Sequence, residues 1–276
     1  SFDGIAASFR PAVSSDPPPF QTAVAVTVVV QSFHDDPPAW IARCMRSVRE
    51  WAEACGYRYR FEDDTLFARV PGWARAKAAH RPMVLSDLGR LHLLSECLAT
   101  GETAIWLDAD VLVFDPDALT AALDLPDGYL LGREHWVQPA IKQRPRVRRS
   151  VHNALCAVAP GNPFLVFYIE AATRILARHD GKAMVPQLIG PKFLTALDNM
   201  MGLPATPAVN MASPLVLSDI AAGGGPALDA FRAAQDVPPA ALNLCQSYAG
   251  AEADGVAVGA DLMRRVIDRL LGQGCV

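Results

Sequence analysis

The first regular pattern in the sequence is also the one that most restricts its fold. Residues 23–30 (AVAVTVVV) form an unbroken run rich in β-branched side chains, which is typical of a strand buried on both faces. Apolar residues then recur at helical spacing from Trp40 to Cys55, and Gly56 follows as a stop signal. Residues 57–61 alternate in polarity like a second strand. This βαβ order predicts an α/β fold with a mostly parallel central sheet flanked by helices.

Length and charge restrict the class of protein further. The 276 residues, 51% of them hydrophobic, can bury a large core, and we expect residues 23–276 to form a single domain. Residues 1–22 are rich in Pro and lack periodicity, which predicts an extended or disordered arm. The net charge of -4 argues against a nucleic-acid partner. No apolar run approaches the roughly 20 residues of a membrane span, and no signal peptide is recognisable, so we expect a cytoplasmic protein.

The six cysteines are scattered and form no CxxC pair. This spacing favours reduced, buried thiols over a disulfide framework or a zinc site.

A second helix is predicted from Met83 to Ala99, and it carries charge on its apolar side. Asp87 and Arg90 fall within or beside the stripe that is expected to face the core. Charged residues are seldom placed there unless they are paired or functional. Three interpretations stay open: an i,i+3 ion pair, a carboxylate that complements the helix N-terminus, or a pair that serves a binding site. The buried stripe consists of Val84, Leu88, Leu91, Leu94 and Leu98.

The following strand, residues 103–107, runs into two carboxylates, Asp108 and Asp110. Side chains at i and i+2 of a strand point the same way, and open α/β sheets bind ligands at the carboxyl ends of their strands. The pair is suited to a divalent cation whose remaining positions are open to phosphate. One hypothesis is transfer from a nucleotide sugar, in which the metal neutralises the diphosphate leaving group.

A second hypothesis is a haloacid-dehalogenase-like phosphatase, because Asp-Ala-Asp-Val fits that family's DxDx(T/V) pattern. Asp108 would then be a nucleophile and Asp110 an acid or base. That family carries the motif on its first strand, whereas here a βαβ unit and a further helix precede it. The phosphatase is therefore the weaker hypothesis.

Residues 86–90 (SDLGR), followed by residues 105–111 (IWLDADV), resemble the DXD sugar-binding region of GT-A glycosyltransferases. Similar patterns occur in polysaccharide mannosyl- and galactosyltransferases and in the clostridial glucosylating toxins. Asn153 and the pair Gly190-Pro191 also fall where such enzymes often have similar residues. The resemblance implies a GT-A, Rossmann-like fold over roughly residues 24–197.

The resemblance also implies roles for individual residues. Asp108 and Asp110 would serve a Mn²⁺ or Mg²⁺ ion, the donor ribose and the diphosphate, while Asp87 and Arg90 would contact the donor sugar. Asp87, Arg90 and Asp110 are thus the expected catalytic residues. The implied reaction moves a sugar from a nucleotide-diphosphate sugar to a hydroxyl of a glycan or small-molecule acceptor, with retention of configuration. A non-catalytic protein that binds a nucleotide sugar is the alternative.

Two further pairs complete the expected site. Gln31 and Phe33, at the end of the first strand, would lie near the nucleobase according to the resemblance. Glu134 and His135 follow a short predicted strand at residues 128–132 and are candidates for the acceptor side.

The C-terminal third departs from the family pattern. Related enzymes often supply another metal or phosphate contact from a C-terminal His, Trp, Ser or Asn motif, but here no His follows His179 and no Trp follows Trp136. Asn243, Ser247 or Asp219 are possible substitutes.

Residues 142–149 (KQRPRVRR) lack periodicity and are predicted to form a surface loop. Such a charge run is either a solvated segment or a binding surface for an anionic acceptor or phosphate. Residues 62–82 are likewise expected to be a loop, and residues 204–239 show no assignable pattern.

Overall fold

The computed structural model describes residues 26–141 and 144–276, so the expected N-terminal arm lies outside the described residues. In chain order the elements of the first half are β1 (Thr27–Ser32), α1 (Ala39–Ala54), β2 (Arg58–Glu62), a 3-10 helix (Asp64–Arg69), α2 (Gly72–Lys77), α3 (Pro82–Ala99), β3 (Thr103–Leu107), β4 (Val111–Val113), α4 (Pro116–Ala122) and β5 (Tyr129–Ile141). They continue with β6 (Arg144–Val158), α5 (Pro163–Arg178), α6 (Pro191–Met201), β7 (Ala205–Thr206), β8 (Val209–Met211), α7 (Pro214–Ala222), α8 (Pro226–Ala233), β9 (Ala241–Asn243), a 3-10 helix (Gln246–Tyr248), β10 (Glu252–Ala253), β11 (Val256–Ala257) and α9 (Ala260–Gln273).

The central sheet has six strands in the order β2-β1-β3-β6-β5-β7. β1 runs parallel to β2 and β3, and β7 runs parallel to β5, whereas β6 is antiparallel to both of its neighbours. The predicted α/β class with a mostly parallel sheet flanked by helices is confirmed. A second, three-stranded sheet has the order β4-β9-β8. Because β4 begins at Val111, shortly after β3, its pairing with β9 brings the C-terminal third of the chain beside the end of β3.

Helices cover both faces of the central sheet, as the apolar composition of β1 predicts. Val28 and Val30 pack into a core that contains α3 and α5, while Val29 between them packs against α1 on the other face. A third core joins α1 to α7, α8 and α9. The strands therefore end between two helical layers.

The helix predicted at residues 83–99 is confirmed as α3, and the helical spacing from Trp40 to Cys55 is confirmed as α1. The prediction of a loop at residues 62–82 was wrong. Residues 62–82 contain the first 3-10 helix and α2, which are too short to show a helical period. The C-terminal stretch without an assigned pattern, residues 204–239, contains β7, β8, α7 and α8.

The prediction of a surface loop was wrong for residues 144–149, which belong to β6, and β6 forms a long antiparallel hairpin with β5. Residues 142 and 143 lie outside the described residues. The strand predicted at residues 128–132 therefore continues to Ile141, and Glu134 and His135 lie inside it rather than after its end. Pro139, Pro145 and the arginines concealed this strand, because its backbone pairing does not require the apolar alternation on which the prediction depended.

All six cysteines lie in the described part of the chain and are free thiols, four of them buried. No helix among the described residues is long and apolar enough to cross a membrane.

Candidate active site

The carboxyl end of β3 opens into a cavity of about 660 Å³, a volume within the range of small-molecule sites. Its walls are α3, the β5–β6 hairpin, the segment that leads into α6, and the segment that follows β9. The side chains on which the site depends are Asp87, Arg90, Asp108, Glu134, Trp136, Arg148, Asn153 and Ser247.

Arg90 connects the predicted donor residues Asp87 and Asp108 in one network. Its Nη1 lies 3.0 Å from Asp108 Oδ1 and donates to the Asn153 carbonyl at 2.8 Å, while Nη2 lies 3.2 Å from Asp87 Oδ1. Asp87 and Arg90 are each only 6% exposed, although both line the cavity. Asp87 and Arg90 therefore form the i,i+3 ion pair that was one of the interpretations, and Arg90 also joins this pair to Asp108 at the wall of the cavity.

Trp106 and Gln31 hold Asp108 in place. The indole Nε1–H of Trp106 donates to Asp108 Oδ1 at 2.7 Å, and the Gln31 amide donates to the Asp108 carbonyl at 3.0 Å. The Arg90 guanidinium lies over the Trp106 ring, 4.9 Å from its centroid. Trp106 was not among the predicted residues, although its position two before Asp108 on one strand puts both side chains on the same side.

Asp87 is fixed from the opposite side by residues distant in sequence. Asn153 Nδ2 donates to Asp87 Oδ1 at 2.8 Å. A Cβ added to Gly190 would lie 2.6 Å from Asp87 Oδ2, so the segment before α6 approaches this carboxylate as only glycine permits. Burial raises the pKa of Asp87 to about 6, against the attraction of Arg90.

Asp110 lies beneath the segment that follows β9. Its carboxylate accepts from Asn243 Nδ2 and from the Gln246 backbone N–H, both at 2.7 Å. Asn243 Oδ1 accepts from the Cys245 backbone N–H, so the orientation of the Asn243 amide is determined. Cys245 itself has a left-handed φ of 55°, a conformation that side chains other than glycine seldom adopt. Burial and the neighbouring Asp108 raise the pKa of Asp110 to about 7.

Asn243, Ser247 and Asp219 are the three candidates for a C-terminal metal or phosphate contact, and they differ in where they lie. Asn243 bonds Asp110 directly, and Ser247 lines the cavity. Asp219 is elsewhere, because its carboxylate accepts from the backbone N–H groups of Ala227 and Leu228 at the start of α8. Asp219 therefore serves the fold.

Asp108 and Asp110 are the carboxylates that a divalent cation would use at this site. Within the described part of the chain, no group of three or more His, Cys, Asp or Glu side chains is arranged to hold a metal. Mg²⁺ and similar ions need only one or two carboxylates when substrate phosphates and water supply the other ligands. Burial, and then the neighbouring Asp108, raises the pKa of Asp110, and a cation would favour the charged form of both carboxylates. Asp108 lines the cavity, whereas Asp110 does not, and each Asp110 oxygen accepts one N–H group. Asp108 alone, with substrate phosphate and water, fits the requirement of such an ion.

The two candidates for the acceptor side face in opposite directions. Glu134 lines the cavity, accepts from the Ser150 hydroxyl at 2.6 Å, and has a pKa raised by burial. His135 is its neighbour on the strand and therefore points to the other face, where its ring contacts the Asn210 amide at 3.1 Å. The assignment of His135 to the acceptor side was wrong.

Gln31 and Phe33 are not among the side chains that line this cavity. Gln31 is fully buried. Its side-chain Oε1 accepts from the Tyr59 hydroxyl, and its Nε2 donates to the Asp108 backbone carbonyl. Phe33 is half-buried and packs against the core beneath α1. Gln31 is thus a positioning residue for Asp108, and a contact between Phe33 and a nucleobase stays a prediction.

No protein-family model and no curated protein sequence matches this chain. Solved glycosyltransferase structures do match. One is a glycosyltransferase involved in the glycosylation of the major capsid of PBCV-1, with 13% identity, coverage of 80% of this chain and 94% of that chain, and a TM-score of 0.46. Another is the PaToxG glycosyltransferase, with 14% identity, coverage of 90% and 87%, and a TM-score of 0.38.

Proposed function

We propose that this protein is a metal-dependent glycosyltransferase that moves a sugar from a nucleotide-diphosphate sugar to a hydroxyl of a glycan or small-molecule acceptor. The observation that carries the proposal is the Asp87–Arg90–Asp108 network at the wall of a 660 Å³ cavity, in which Asp87 and Arg90 are buried and Asp108 is half-buried. A carboxylate and a guanidinium are seldom buried unless they are paired or functional, and such a group in a cleft marks a functional site.

The donor sugar would bind at Asp87 and Arg90. Among the described residues, Asp87 Oδ1 accepts from Asn153 while Oδ2 makes no hydrogen bond, so Oδ2 is available to a sugar hydroxyl. Arg90 holds Asp87 and Asp108 at a fixed separation through its planar fork. The network thus presents acceptors for hydroxyl groups in a geometry set before the donor arrives.

Asp108 and Asp110 would hold a Mn²⁺ or Mg²⁺ ion. Asp108 and Ser247 line the cavity, so the Ser247 hydroxyl could add an oxygen, whereas Asp110 lies behind the lining side chains. When bound, the cation supplies positive charge to the diphosphate as its bond to the sugar breaks. Asn243 orients Asp110, and Trp106 orients Asp108, so both carboxylates are fixed by hydrogen bonds from this chain.

Glu134 would receive the acceptor hydroxyl. It lines the cavity, and its hydrogen bond from Ser150 restricts its rotation. We propose retention of configuration, which the resemblance to retaining enzymes supports. NMR of the first-formed product distinguishes the outcomes, because an anomer opposite to that of the donor sugar requires a general base and would assign that role to Glu134.

A non-catalytic nucleotide-sugar-binding protein is the second candidate. The observation that favours it is that both oxygens of Asp110 already accept N–H groups, one from Asn243 at the end of β9 and one from Gln246 after it. The phosphatase has less support, because no third carboxylate joins Asp108 and Asp110 within the described residues.

Donor hydrolysis tests the proposal. UDP-, GDP- and other nucleotide sugars are incubated with the protein and Mn²⁺, and release of nucleotide diphosphate is measured without acceptor. We expect slow, metal-dependent release from one donor, lost in Asp108→Asn and Asp110→Asn but kept in the exposed control Asp36→Asn. Saturable donor binding without release would favour the binding protein. Absence of both would overturn the proposal.

A further inference from the structure

The β5–β6 hairpin presents one continuous face to the cavity. Residues paired across an antiparallel ladder point to the same face, as do residues two apart on each strand. The pairs on the cavity face, from the deepest outward, are Glu134 with Ser150, Trp136 with Arg148, and Gln138 with Arg146. Arg146 is exposed at the outer end, and the other five side chains line the cavity. We call these six residues the hairpin face.

The two arginines of the hairpin face form no ion pair among the described residues, and Glu134, deeper on the same face, feels only the longer-range attraction of Arg148. Arg146 and Arg148 are both exposed, and within the described part of the chain no carboxylate lies within 4.0 Å of either guanidinium. The whole chain carries a net charge of -4, so this positive surface is a local feature. Arginine forks suit carboxylate and phosphate groups in particular.

An aromatic surface lies beside Arg148, between Arg146 and the buried Glu134. Trp136 is half-buried, and its ring stacks with that of Tyr248 at 5.8 Å between centroids and 30° between planes. Tyr248 comes from the segment after β9 that also contacts Asp110. The pair thus forms an apolar wall between the donor end of the cavity and its cationic rim.

We propose that the hairpin face is an acceptor subsite for a sugar that carries an anionic group, either a carboxylate or a phosphate. The sugar ring packs on Trp136, its anionic group binds Arg148 and Arg146, and a ring hydroxyl faces Glu134. This inference rests on the proposed transferase function of the cavity. Of the two interpretations that the sequence left open for the basic segment, solvation or anion binding, the proposal favours anion binding.

The test uses three matched probes: methyl glucuronoside, methyl glucoside 6-phosphate and neutral methyl glucoside. Binding of each probe alone is followed through the Trp136 indole signal in ¹H–¹⁵N NMR spectra, which Trp136→Phe assigns among the five tryptophans. We expect at least one anionic probe to bind about tenfold or more tightly than the neutral probe, as a charge-assisted hydrogen bond predicts. The two anionic probes distinguish carboxylate from phosphate.

Charge variants decide whether the hairpin face is responsible. Arg148→Gln is expected to weaken binding of the anionic probe about five- to tenfold and to leave binding of the neutral probe unchanged. Arg149→Gln is the matched control, because Arg149 pairs with His135 and points to the opposite face. We expect Arg149→Gln to bind the anionic probe with the same affinity as the unaltered protein. Higher salt should weaken the anionic probe in the unaltered protein.

Equal affinity for neutral and anionic probes, no binding of any probe, or equal losses in Arg148→Gln and Arg149→Gln would each overturn the proposal. Because the probes are titrated without donor, these outcomes are separate from failure of donor hydrolysis. An active transferase with no preference for the anionic probes would keep the proposed function and refute the acceptor subsite.

Discussion

The substitution Asp87→Asn tests whether the Asp87 carboxylate serves donor binding or the stability of the fold. The substitution is isosteric, and the Asn carbonyl oxygen can take the position of Asp87 Oδ1, which accepts from Asn153 and faces Arg90. The pKa of Asp87 is raised from 3.8 to about 6 in the folded protein, so the folded state binds the proton more tightly than the unfolded state. Stability contributed by this group therefore falls as pH rises from about 4 to about 6.

At 1.36 kcal/mol per pH unit, the ionised Asp87 costs the fold about 3 kcal/mol at pH 8 and about 1 kcal/mol at pH 4.5. We expect Asp87→Asn to be more stable than the unaltered protein by up to these amounts, while donor binding is lost. Urea unfolding at both pH values measures the difference, with the exposed Asp36→Asn as control. If Asp87→Asn is instead less stable at pH 8, the ion pair with Arg90 is a net structural contact and the reasoning is refuted.

Three further substitutions test neighbouring parts of the account. Arg90→Met leaves Asp87 and Asp108 buried without their cation and should cost about 3–5 kcal/mol in urea unfolding; a loss below about 1 kcal/mol would contradict the network. Asp219→Ala should cost about 1 kcal/mol by removing the contacts at the start of α8 and leave donor affinity unchanged, so weakened donor binding would place it at the site after all. Gly190→Ala should cost about 1–3 kcal/mol and weaken donor binding in calorimetry, because the new Cβ meets the Asp87 carboxylate; unchanged affinity would refute that close approach.

The parts of the site that sequence predicted are those held by local geometry. Asp87 and Arg90 could be placed on the inward side of α3 because helical periodicity relates them to the buried leucines. Asp108 and Asp110 could be placed at a strand end because an apolar run precedes them. No periodicity indicates that Asn153, 66 positions after Asp87, bonds the same carboxylate.

The hairpin was missed for a different reason. Apolar alternation identifies a strand only when one face is buried, and the outer half of β6 is largely exposed arginine. Consequently Trp136, Arg148 and the inward direction of Glu134 emerged only from the pairing of β5 with β6. Asn243 likewise reached Asp110 through the three-stranded sheet, a contact between residues 133 positions apart.

The most direct test of a nucleotide-sugar site is a thermal-shift panel of UDP-, GDP- and other nucleotide sugars, with and without Mn²⁺. A ligand present at about 100 times its Kd stabilises the folded state by about 2.7 kcal/mol, which corresponds to roughly 5–10 °C in Tm for a domain of this size. We predict a shift of this order with one nucleotide sugar, dependent on Mn²⁺ and lost in Asp110→Asn. No shift with any nucleotide sugar at millimolar concentration would contradict the account.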